Sequence, residues 1–285
     1  MADVVFVHGI GSPRQSAAGM ASAWLDALNA GARTTGSPGL SKDDVVLAYY
    51  RHAFAASGSK GPDGDEVAVA DLDVVERAMV ESLWAAAVAQ TPALSADATK
   101  AGVPLSVQEQ IKRMSGWGPF ADCPPSRIPL SIRQVSLYLR DTAVRERVQA
   151  VVQDAVTERT RVLVAHSLGS VVAYEMLAAN PDWPVRALVT FGSPLGWSPQ
   201  VFDRLTPGPC DGVGVWPGGV RVWTNVSFAG DVVALHKELS PLFAHPDGRS
   251  RVRDLPVRLT SMHAAEAYLR TAEVAGAVLA GVSGR

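Results

Sequence analysis

Ser167 lies in Ala165-His166-Ser167-Leu168-Gly169, between the apolar run Arg161 to Ala165 and a helical run from Ser170 through Ala178. A serine on so tight a strand-to-helix turn is lifted out at the carboxyl edge of a sheet, provided that small residues stand two positions to either side. Ala165 and Gly169 meet that requirement. The competing reading, an ordinary serine in a βα turn, is disfavoured by the strand before it and the helix after it. A serine hydroxyl is a weak nucleophile, so it needs a base to take its proton and donors for the oxyanion formed on attack. The donor signal is Val7-His8-Gly9-Ile10-Gly11, a second apolar run that ends in a glycine turn. If that turn lies beside Ser167, the backbone N–H groups of Ile10 and Leu168 form the oxyanion hole. His8 is expected to shape this loop by hydrogen bonding, and His166 to point away from the nucleophile.

In the chain order Ser, Asp/Glu, His, the acid and the base both follow the nucleophile. The histidines after Ser167 are His236, His245 and His263. His236 stands five residues beyond the favoured acid, a short reach, and His245 precedes the turn-like Pro246-Asp247-Gly248. His263 follows the strand-like Leu255 to Thr260 and opens the helical run Ala264 to Leu279, a junction from which its ring can point into a site. The acid should leave a strand at the same sheet edge. Asp231, after Val220 to Val226 and Ser-Phe-Ala-Gly230, has that setting and is preferred to Asp203, Asp211 and Asp254. The expected catalytic set is Ser167, Asp231 and His263.

These residues need a parallel sheet to bring them together. Apolar runs at Val4 to Val7, Val45 to Tyr50, Arg161 to Ala165, Arg186 to Phe191 and Val220 to Val226 alternate with helical periodicity, first at Ala17 to Asn29. The expected fold class is α/β, one domain over residues 1–285 with a mostly parallel central sheet flanked by helices. Residues 51–130 break the rhythm. They hold a Gly/Ser/Asp-rich loop from Ser57 to Asp65, a helix Val74 to Gln90 with a capping-box-like start at Asp73 and Glu76, a second helix Leu105 to Met114, and a loop Gly116 to Pro129. This segment is read as an inserted helical cap over the site, against the alternative of a solvated excursion. Ile132 to Glu158 returns to helical spacing with a break near Asp141, and the Gly/Pro-rich loop Thr206 to Gly219 is expected to be mobile.

A formal net charge of -2, from 26 basic and 28 acidic residues, gives no reason for a nucleic-acid partner or an anionic membrane surface. Cys123 and Cys210 are read as free thiols, and six histidines without close-spaced ligand partners imply no metal site. No cofactor is expected. The short first apolar run and the lack of a long apolar span point to a cytoplasmic protein without stable membrane insertion.

Together, Val7-His-Gly-Ile-Gly, Ala165-His-Ser-Leu-Gly, Phe191-Gly-Ser-Pro194, Gly230-Asp231 and His263 resemble the α/β-hydrolase superfamily. More narrowly, the set is similar to compact lipases and esterases with an A-H-S-x-G elbow and to the lipase-like inositol deacylase branch. The resemblance implies an α/β-hydrolase fold, a Phe-Gly-Ser-Pro segment that walls the site, and cleavage of a small-molecule or lipid-like acyl ester through an acyl-serine. The sequence departs from that group in lacking its leading strands and in the unaligned insertion. Thioester cleavage or acyl transfer would use the same residues, and a binding protein on the same scaffold is the reading from another class.

Overall fold

Apolar residues fill Val4–Val7 (β1), Val162–His166 (β3) and Ala187–Phe191 (β4) almost without interruption, and every residue of these three strands is buried. Such runs are what a parallel strand covered on both faces requires, where a half-exposed strand would alternate. The computed structural model describes residues 2–10, 15–54, 67–96, 104–117, 124–244, 252–261 and 263–284. With Val45–Ala48 (β2), Val222–Phe228 (β5) and Arg253–Val257 (β6), the strands form a six-stranded, all-parallel sheet in the order β2-β1-β3-β4-β5-β6. Pro256 is accommodated because β6 is an edge strand, where one side of the backbone has no ladder to break.

Among the described residues the helices are α1 (Ala17–Thr34), α2 (Val74–Gln90), α3 (Val107–Met114), α4 (Arg127–Arg140), α5 (Thr142–Ala155), α6 (Leu168–Ala179), α7 (Ala265–Leu269) and α8 (Ala272–Ser283). Side chains of α1, α7 and α8 pack with Val4, Phe6, Val162, Val164 and Val189 in one core. The other core holds α2 to α6 with Val5, Val7, Leu163 and Leu188. The fold is thus three-layered α/β, as the alternating pattern predicts.

Differences from the predicted boundaries have local causes. The break expected near Asp141 in the helical spacing from Ile132 to Glu158 is present, where the Asp141 side chain accepts from the Val144 N–H at 3.0 Å and starts a new helix. The first half begins at Arg127, so the loop expected to reach Pro129 is shorter. Proline is tolerated there because the N–H groups of a first turn have no helical acceptor. The terminal helical run divides likewise at Thr271, which caps α8 through the Val274 N–H at 3.3 Å. Helix α2 has the predicted limits and the predicted box, with Asp73 accepting from Val75 and Glu76 while Glu76 accepts from the Asp73 N–H. The expected loop Ser57 to Asp65 lies outside the described residues.

The loop Thr206 to Gly219, expected to be mobile, is anchored at several points. Trp216 is buried and donates to the Val220 carbonyl at 2.7 Å, Tyr174 donates to the Val215 carbonyl at 2.8 Å, and the Gly214 N–H donates to Leu242. Glycine and proline content describes the backbone of this loop and misses the buried tryptophan that fastens it. Helix α2 is tied to the carboxyl edge of the sheet: Gln90 donates to the Ala229 carbonyl at 3.0 Å, and Gln200 donates to Ser82 Oγ at 3.1 Å.

Candidate active site

The parallel strands all end at one edge, and the segments leaving β1, β3, β5 and β6 bring the candidate residues together. Ser167 sits between β3 and α6 with φ 52° and ψ −130°, one of two non-glycine residues with positive φ among those described. Such a backbone costs on the order of 1–3 kcal/mol and persists only where its surroundings hold it. Here the Ser167 N–H donates to the Phe191 carbonyl at 3.2 Å, the Ser170 N–H donates to the Ser167 carbonyl at 2.9 Å, and the Ser170 hydroxyl donates to that same carbonyl. Gly169 has no alternative. A Cβ there would lie 2.3 Å from the Val7 carbonyl oxygen and 2.5 Å from that of His8. The turn leaving β1 is equally close to the serine, since a Cβ on Gly9 would approach Ser167 Cβ to 2.7 Å.

His263 Nε2 is 3.1 Å from Ser167 Oγ, and His263 Nδ1 is 2.7 Å from Asp231 Oδ2. Asp231 is fully buried, after the turn that leaves β5. Burial alone would raise its carboxyl. The His263 charge, with hydrogen bonds from His263 and Tyr268, outweighs burial and holds it below the usual carboxylate range. The other oxygen, Oδ1, accepts the Val233 N–H at 3.0 Å. Gly192, at φ +54°, faces this pair, and a Cβ on it would lie 3.0 Å from Asp231 Oδ2 and 3.1 Å from the His263 ring. The structure therefore joins Ser167, His263 and Asp231 in one hydrogen-bonded chain.

Ile10 follows Gly9, in the turn packed on Ser167, and Leu168 is the first residue of α6, where a helix leaves its N–H groups unpaired. Gly11 lies outside the described residues. Of the alternatives, His236 is exposed and bonds neither Ser167 nor Asp231, and His245 is outside the described residues. Asp254 accepts from the Leu239 and Ser240 N–H groups and from Asn225, which assigns it to holding the loop between β5 and β6. Asp203 accepts from Ser198, and Asp211 is exposed. Cys210 is a free, exposed thiol, and Cys123 lies outside the described residues.

Sequence reasoning missed Tyr268. This fully buried tyrosine donates to Asp231 Oδ2 at 2.8 Å and accepts the Phe228 N–H at 3.1 Å, so Asp231 has two side-chain donors on one oxygen. Its spacing with Ala265 and Leu269 on a helical face reads as plain core, and nothing in the pattern marks its hydroxyl. Ser193, in the Phe-Gly-Ser-Pro segment, was likewise unmarked, although its Oγ is 2.7 Å from that of Ser170 and links the segment to the elbow.

His8 shapes the loop, as expected. Its ring stacks on Tyr50 with centroids 4.1 Å apart, Nδ1 donates to the Gly9 carbonyl, and Nε2 accepts the Tyr50 N–H at 3.2 Å. Burial lowers its pKa from 6.5 to about 4, and burial, followed by the His263 charge, lowers that of His166. In the window between those two values for His8, the unfolded chain binds a proton that the folded chain excludes, so the stability contributed by His8 falls as pH drops from 6.5 to 4 and is level above 6.5. The loss attached to His8 is on the order of 3 kcal/mol. Urea unfolding of wild type and His8→Gln across this window measures it. The variant should lose less stability on acidification, and equal losses would contradict the assignment.

Comparisons with protein-family models, with curated proteins and with solved structures found no match to this chain. Among the described residues, no group of three or more His, Cys, Asp or Glu is placed to hold a metal ion, and no helix is long and apolar enough to cross a membrane.

Proposed function

We propose that this chain is a serine hydrolase of the α/β-hydrolase type that cleaves a carboxylic ester through an acyl-serine intermediate. The observation that carries this reading is the chain of contacts Ser167 Oγ, His263 and Asp231, built on a strained turn. With Nδ1–H donating to Asp231, the lone pair of Nε2 faces the serine, the orientation a general base needs. His263 takes the Ser167 proton as Oγ bonds to the acyl carbon, and the oxyanion is received by the N–H groups of Ile10 and Leu168. The proton passes to the leaving alcohol. Water then enters, His263 takes one of its protons as the hydroxide adds to the acyl carbon, and the acyl–Oγ bond breaks with that proton passed to Ser167, releasing a carboxylic acid that ionises to solvent.

Helix α2 is the element we assign as the cap, because Gln90 and Gln200 connect it to segments leaving β5 and β4 beside the acid and the Phe-Gly-Ser-Pro wall. Its neighbours in residues 51–130 would set which acyl or alcohol group is accepted. The same three residues would serve a thioester.

The test is labelling of folded protein with a fluorophosphonate, followed by peptide mapping. Stoichiometric modification at Ser167, lost in Ser167→Ala, is the expected result. Label at another residue, or none, would remove the proposal.

A further inference from the structure

At the opposite edge of the sheet, three arginines surround a cleft. Arg186 and Arg221 immediately precede β4 and β5, and the register Ala187↔Val222 sets them side by side on neighbouring strands. Both the Arg221 and Val222 N–H groups donate to the Arg186 carbonyl, which fixes this placement. Arg253 opens β6, opposite Thr224 of β5. Like charges directly across a strand pair are destabilising, so an arrangement of this kind calls for compensation. None comes from the described residues. All three arginines are exposed, none of their side chains has a hydrogen bond or ion pair with another described residue, and no described carboxylate lines the cleft.

Between the arginines the cleft is apolar. Val222 forms its floor and is 38% exposed, unusual for a valine in an internal strand, while Ala277, Ala280 and Gly281 of α8 form a wall of small residues. Gly281 brings α8 against β3 and β4, where a Cβ would lie 2.8 Å from both Ala187 Cβ and Val162 Cγ2, while Val222 at the start of β5 stays exposed. Thr224 also lines the cleft. It is only 2% exposed, and its hydroxyl has no hydrogen bond to another described residue. The volume is about 180 Å³, below the range of drug-sized sites and suited to a ligand with a small head and a short body.

We propose that this cleft binds a small amphipathic anion, its carboxylate or phosphate oxygens held by Arg186, Arg221 and Arg253 and its apolar part lying on Val222 and the small residues of α8. Guanidinium forks match the geometry of either head, and the Thr224 hydroxyl offers a further hydrogen-bonding group. The inference is independent of the reading of Ser167, which lies at the other end of the strands.

The test is NMR titration of the full chain with monomeric octanoate, octyl phosphate, octanol and vesicles of phosphatidylcholine containing phosphatidylglycerol, observing the methyl signals of Val222 and Ala277. Saturable shifts with octanoate or octyl phosphate are expected, the tighter of the two identifying the head. Affinity should fall at least about tenfold in the Arg186→Gln/Arg221→Gln double variant, as expected for loss of two charge-assisted contacts. Octanol should bind no better than the double variant binds the anions. Because the signals report from the cleft, occupancy near Ser167 cannot imitate the result. Failure of both anions to shift these methyls, equal affinity in the double variant, or association with vesicles alone would each overturn the proposal, the last by indicating a membrane surface.

Discussion

His263→Ala is expected to lower kcat for a short-chain aryl ester by roughly 10⁴- to 10⁶-fold, the range seen when a residue of such a triad is removed. His263 Nε2 stands 3.1 Å from Ser167 Oγ, and no other described histidine bonds that hydroxyl. Without the imidazole the serine keeps its strained backbone and its neighbouring N–H groups, so the residual rate reflects binding and oxyanion stabilisation alone. His236→Ala is the matched control. Its ring is exposed, near the loop at Gly196, and most activity should remain. Steady-state kinetics of the two variants, with thermal unfolding to verify that both are folded, decides the matter. A large loss in His236→Ala with activity retained in His263→Ala would move the base.

The contrast between these two histidines shows what sequence could and could not carry. Ser167, Asp231 and His263 were legible because each adjoins a strand end, and a parallel sheet delivers its strand ends to one edge. The strands were legible because their burial on two faces demands uninterrupted apolar runs, as in Val162 to Ala165. Tyr268 was not. A hydroxyl that bonds the acid and a hydroxyl that merely reaches water have the same helical spacing, and only the approach of α7 to the β5 turn distinguishes them. Gly9 and Gly192 were similarly hidden. Gly9 was readable as a turn residue, while its contact with Ser167 depends on the separation between two strands far apart in sequence. Arg186, Arg221 and Arg253 are spread over 68 residues, and their convergence follows from strand register, which composition does not encode.

Asp231→Asn tests the other end of the hydrogen-bonded chain and should cost about 10⁴-fold in kcat, the effect of placing the base in the wrong tautomer. The surroundings dictate how the amide would sit. Oδ1 of Asp231 faces the Val233 N–H at 3.0 Å, with the Ala234 N–H further off at 3.5 Å, and these backbone donors require an acceptor. The amide oxygen must take that place, which turns the NH₂ group toward His263 and Tyr268. His263 Nδ1 then becomes an acceptor, its proton moves to Nε2, and the lone pair that faced Ser167 is lost. Tyr268 does not restore the original state, because its hydroxyl can accept from the amide as readily as it donates to the carboxylate. The substitution removes a buried charge while conserving shape, so melting temperature should change far less than turnover. Kinetics on a short-chain aryl ester, with ¹⁵N NMR of the His263 ring, gives two independent readings. Activity within tenfold of wild type, or a ring still protonated at Nδ1, would show that another group orients the base.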